Sequence, residues 1–141
     1  MNDKFFLDTN LLIYSFDSRE FTKQQQAQHL IVQALSNQKG IISFQVVQEF
    51  LNAARRKFAN PLSATDCQTY LTQVLMPLCQ AFPQLDLYQK ALIVEERYRY
   101  SFYDSLILAA ALQAHCQILY TEDLQAGQII EQTLQIVNPF L

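Results

Sequence analysis

Glycine and proline are scarce, at 2 and 4 in 141 residues. A fold rich in tight turns needs more of both, so the chain points to long helices. Charged residues are few as well, 16% against 50% hydrophobic. That balance excludes a disordered chain and supplies a sizeable core. An excess of positive charge is absent. The net charge is −3, so any contact with a polyanion needs a local basic patch or a metal ion. Cysteine pairing is absent too: Cys67, Cys79 and Cys116 are an odd number without CxxC spacing. They read as reduced core thiols in a cytoplasmic protein. His29 and His115 stand alone, which leaves no clustered zinc ligands. The longest apolar run, Leu106 to Leu112, is far short of a membrane span. Asp3 and the short apolar run behind it are unlike a signal peptide. The length predicts one domain over residues 1–141.

Phe5, Phe6 and Leu7 are too few for anything but a buried strand, and they end in Asp8-Thr9-Asn10. Thr9 or Asn10 is placed to cap a short helix through Leu11–Tyr14. Thr22 and Gln25 resemble a capping box for an amphipathic helix over 22–38. Ile41-Ile42-Ser43 predicts a second strand, followed by a helix to about Phe58 whose last residues Arg55, Arg56 and Lys57 suit the helix dipole. Ser63 and Asp66 form another capping-box pattern, and Pro77 is predicted to end that helix. Residues 79–82 carry a weak strand signal. Asp86 is placed to cap a helix reaching Tyr98. Ser101 opens a helix that is apolar on every side, hence central and buried. Gln117–Tyr120 predicts a strand ending in Glu122 and Asp123. Residues 124–133 read as partly helical, and Leu134–Val137 as a last edge strand. The class is α/β, a small central parallel sheet flanked by helices.

Four acids share one kind of position. Asp8 and Asp123 follow strands, and the carboxyl ends of parallel strands lie along one sheet edge, where ligands bind. Glu49 lies in the early turns of the helix after strand two. Asp104 lies in the first turn of the buried helix. Each has an ordinary explanation: Asp8 as a turn or cap, Glu49 as a solvated helix residue, Asp104 closing a box with Ser101, Asp123 as a turn residue interchangeable with Glu122. Together they read differently. Clustered carboxylates repel by about 3 kcal/mol per pair at ~5 Å and an effective dielectric of about 20. A hard divalent cation with oxygen ligands completes such a group and activates water for displacement at phosphorus.

The stretches FFLDTNLLIY, SFQVVQEFLN, YSFYDSLILAAAL and ILYTEDLQAG, in that order, resemble the PIN-domain family, most closely the VapC-type toxins of bacterial toxin–antitoxin pairs. Asp8, Glu49, Asp104 and Asp123 match the family's acids one by one. Thr9 and Asn10 match the polar pair after the first acid, and Thr121 the hydroxyl residue before the last. The resemblance implies a PIN-like fold and a Mg²⁺- or Mn²⁺-dependent single-strand ribonuclease, homodimeric and blocked by a cognate antitoxin. It implies that Asp8, Asp104 and Asp123 hold the ion, with Glu49 as a further ligand or a water-orienting group. Thr9 and Asn10 would fix the Asp8 carboxylate. Arg97 and Arg99, just before the Asp104 helix, are the favoured RNA contacts among cations that include Arg55, Arg56 and Lys57. Two other readings compete. A haloacid-dehalogenase-like phosphatase also places an Asp after its first strand, but needs an acid at position 10, where Asn10 stands. A non-catalytic binding module would use the scaffold alone.

Overall fold

The computed structural model describes residues 4–141; Asp3 lies outside the described residues. The chain runs β1 (Phe5–Leu7), α1 (Thr9–Tyr14), α2 (Phe21–Asn37), β2 (Gly40–Ser43) and α3 (Phe44–Arg56). A second half follows, with α4 (Ala64–Tyr70), α5 (Met76–Leu78), β3 (Cys79–Ala81), α6 (Leu85–Tyr98), α7 (Phe102–Gln113), β4 (Ile118–Tyr120), β5 (Ile129–Ile130) and β6 (Leu134–Val137). The strands form one sheet in the order β3-β2-β1-β4-β6-β5, parallel except for β5. This is the expected α/β class with helices around a mostly parallel sheet.

β1 lies inside the sheet, between β2 and β4, as its wholly apolar sequence requires. Phe6 and Leu7 are fully buried and Phe5 nearly so, as a strand covered on both faces requires. The chain leaves β1 toward β2 on one side and later returns as β4 on the other. That reversal makes a crevice at the carboxyl end of β1, the switch point where open α/β sheets bind ligands. On the β2 side, α2 must pack close to the sheet. A Cβ on Gly40 would come within 2.1 Å of the Ala34 Cβ. As predicted, α7 is central: every residue from Ser105 to Ala111 is buried. Cys67 and Cys116 are buried free thiols and Cys79 is half-buried. Burial pushes the Cys116 thiol up to about 12, which leaves it inert at neutral pH. No helix of the described residues is long and apolar enough to cross a membrane.

Several local expectations are corrected. Asp8, not Thr9 or Asn10, is the N-cap of α1. Glu20 and Gln84 precede α2 and α6 without side-chain caps, so neither the Thr22 box nor an Asp86 cap forms. Pro77 does not end its helix. The chain passes from α4 through a π-helical turn (Leu71–Leu75) into α5, with Met76 N–H donating to Leu71 O. Proline offers no N–H to the carbonyl four residues back and crowds it; a widened turn relieves that crowding. Residues 124–133 are not helical. They hold turns and β5, an antiparallel edge strand that moves β6 inside the sheet. The β5–β6 turn puts Glu131 and Gln132 at φ 50 and 65, a primed turn that normally signals itself with Asn or Gly. Glu131 is held there by Arg97, Lys90 and Tyr98, so side-chain contacts replace the missing sequence signal.

Candidate active site

The crevice beside β1 is a cleft of about 330 Å³, and Asp8, Glu49, Asp104 and Asp123 all line it. Asp8 leaves the end of β1 as the cap of α1. Its Oδ1 accepts from the Thr9 backbone N–H at 2.7 Å. Its Oδ2 accepts from the Thr121 hydroxyl at 2.8 Å. Asp8 is 8% exposed, and its carboxyl is pushed up to about 6. Burial is the main cause. The two hydrogen bonds oppose it, and the charges of Asp123 and Glu49 add to it.

The other three acids arrive from three different elements. Glu49, in the second turn of α3, accepts from the Thr9 hydroxyl at 2.5 Å and from the Gln45 amide at 3.2 Å. Asp104 sits in the first turn of α7, where its backbone N–H donates to Ser101 Oγ at 3.1 Å. The capping pattern and the place in the cleft therefore coexist. Asp123 follows β4, with its N–H on Thr121 Oγ1 at 3.1 Å and its carboxylate accepting from the Asn10 amide at 2.5 Å. Its pKa is raised, first by burial and then by Glu122 and Asp104.

The geometry separates Asp123 from Glu122. Glu122 turns the other way, accepting from Tyr14 and from Lys23 Nζ at 2.9 Å. Burial works against its charge, yet those two bonds hold its carboxyl below the usual range. Thr9 and Asn10 do not fix Asp8 through their side chains, as the sequence suggests. Thr9 serves Glu49, Asn10 serves Asp123, and Thr121 serves Asp8. Each of these three carboxylates is thus drawn to its own donor. Among the described residues no three acidic, histidine or cysteine side chains stand close enough to ligate one ion.

Neither Arg97 nor Arg99 lines the cleft. Arg97 makes two bonds to Glu131, at 2.7 and 2.8 Å, and Arg99 is the left-handed cap of α6. The cation on the cleft wall is Lys57. Sequence reasoning missed Gln45, which is buried and donates to both Glu49 and the Tyr103 carbonyl. The available signal is its place one helical turn before Glu49.

A cleft lined by carboxylates, at the switch point of a mostly parallel sheet, defines an α/β protein whose acids gather at the carboxyl-end edge of the strands. The PIN-domain model matches residues 5–129, and the chain belongs to that family. The fold is similar to a chain of a toxin–antitoxin complex from Klebsiella pneumoniae, at 20% identity over 95% of this chain and 96% of that one, with a TM-score of 0.64. It is also similar to VapC20 of Mycobacterium tuberculosis, a sarcin–ricin loop cleaving toxin. There the identity is 18% over 85% of this chain and 90% of that one, with a TM-score of 0.57. At these identities the likeness is one of fold. No curated protein matches the chain.

Proposed function

We propose that the chain is a ribonuclease that acts in the cytoplasm as the toxin of a toxin–antitoxin pair and hydrolyses phosphodiester bonds of single-stranded RNA with a divalent cation. One observation carries this reading: carboxylates from four separate elements face one cleft, where burial and then neighbouring negative charge raise Asp8 and Asp123. Such a site repels a phosphate unless a cation stands between them. The donor set fits a hard ion, since the acids that could bind it offer oxygen. Asp8, Asp104 and Asp123 would hold Mg²⁺ or Mn²⁺, directly or through waters, once Asp8 and Asp123 turn from their present donors.

When bound, the ion supplies charge compensation and an acidified water. The chain's own residues do the rest. Thr121 and the Thr9 backbone fix the Asp8 carboxylate. Asn10 aims Asp123. Glu49, held by the Thr9 hydroxyl and Gln45, would orient the attacking water and take its proton. The phosphatase reading needs an acid at position 10, and Asn10 is instead bound to Asp123. Phe21, Phe82 and Leu85, 63%, 58% and 83% exposed, offer apolar surface for a homodimer or an antitoxin. The test is cleavage of single-stranded RNA by the purified protein, with Mn²⁺ and with EDTA. Cutting that requires the metal is expected; full activity in EDTA overturns the mechanism.

A further inference from the structure

A second groove, about 350 Å³, adjoins the carboxylate cleft. Ile13, Ala53 and Lys57 line both, so the two are continuous. The second one has an aromatic wall. Phe16, 39% exposed, packs against Tyr70, Phe58 and Phe50 with ring centroids 5.2, 5.6 and 5.7 Å away. Phe50 and Tyr70 in turn stack at 4.8 Å. The ring is therefore held rigidly from behind while part of it faces the groove.

The rim is cationic where the cleft is anionic. Lys57 stands at the join, with no ion-pair partner among the described residues. Arg55 reaches the Leu62 carbonyl on the groove wall at 2.9 Å, and Arg19 also lines the groove, paired with Asp17.

We infer that this groove is a nucleotide subsite, in which a base one nucleotide removed from the scissile phosphate stacks on Phe16 and Lys57 contacts the intervening phosphate. The inference rests on the ribonuclease reading above. Each nucleotide of RNA presents an anionic phosphate and a planar base, and the two adjoining sites present features suited to each in turn. A held aromatic face binds any base by stacking, with little preference for sequence. A lysine at the join adds a phosphate contact that salt screens. A purely apolar protein segment would gain nothing from that cationic rim.

The experiment measures binding of a fluorescein-labelled single-stranded 12-mer RNA by anisotropy, with Ca²⁺ in place of Mn²⁺ to offset the carboxylates and the strand checked intact on a gel, across a salt series. Cleavage of the same RNA in Mn²⁺ is followed in parallel. Phe16→Leu keeps apolar packing but removes the π face, and is expected to weaken binding about tenfold. Phe16→Tyr is expected to bind like the parent. Lys57→Gln should lower the salt dependence by about one phosphate contact. Wild-type binding by Phe16→Leu overturns the inference. If that variant also fails to co-purify with the cognate antitoxin, the groove belongs to a protein partner. Wild-type protein that cuts RNA while Phe16→Leu does so equally well refutes only the subsite. Wild-type protein that neither binds nor cuts RNA refutes the ribonuclease reading and the subsite with it.

Discussion

Replacing Asp8 by asparagine should stabilise the metal-free protein at pH 8. The Asp8 carboxyl rises from an ordinary 3.8 to about 6 on folding. At about 1.36 kcal/mol for each tenfold change in proton affinity, that is about 3 kcal/mol. The folded state binds this proton more tightly than the unfolded state does. Stability therefore falls as pH rises from about 4 to about 6, and the full cost is present above 6. The uncharged amide of Asp8→Asn avoids that cost. Its oxygen still accepts from the Thr9 N–H, but the Thr121 hydroxyl loses its acceptor, which costs about 1 kcal/mol. The net gain at pH 8 is about 1–2 kcal/mol, or roughly 3–8 °C in Tm for a chain of this size. At pH 4.5 the folded carboxyl is largely protonated, and only about 1 kcal/mol of the cost remains. The lost hydrogen bond offsets that remainder, so the gain should vanish. The assay is thermal unfolding in EDTA at pH 4.5, 6 and 8, repeated with Mn²⁺. Wild type should gain stability from Mn²⁺ and the variant much less. A variant less stable than wild type at pH 8, or a difference independent of pH, refutes the argument that burying the Asp8 charge, with its acidic neighbours adding to the cost, destabilises the metal-free fold. Its catalytic counterpart is a loss of RNA cleavage in the same variant.

Asp104→Asn should leave stability within about 1 kcal/mol, since the loss of a helix-dipole interaction is offset by relief of charge in the cleft. It should lower cleavage by about 100-fold or more and bring the Asp123 carboxyl down toward its ordinary value in an NMR titration. Near-wild-type cleavage would reduce Asp104 to its place beside the Ser101 cap. Gly40→Ala sets a new methyl 2.1 Å from the Ala34 Cβ and 2.8 Å from its Cα. Overpacking of this kind should cost about 1–3 kcal/mol or more in urea unfolding, and an unchanged midpoint would mean that α2 moves freely on the sheet.

Elements with a local cause are legible in the amino-acid order. Periodicity marks α7 as a helix buried on every side, and the Ser63 and Ser101 caps form where their spacing predicts. The three-residue strand Phe5–Leu7 reads as buried, and two acids after strands with two in the early turns of helices place four carboxylates near one sheet edge. These rules span three or four residues, so a single chain displays them. Features that depend on distant partners emerge only when the chain folds. Asn10 and Asp123 meet across 113 positions, and Thr9 and Glu49 across 40, so the donor chosen by each acid is not readable locally. The same holds for Glu122, which Tyr14 and Lys23 draw away from the cleft. It holds for Arg97, taken by Glu131 in a turn that no glycine announces. Lys57 looks like any helix-ending lysine until α1 and α3 pack together and set it where two grooves join. Local spacing fixes a side chain's position along its own element, whereas its partner depends on how strands order around β1, and that order is a property of the whole sheet.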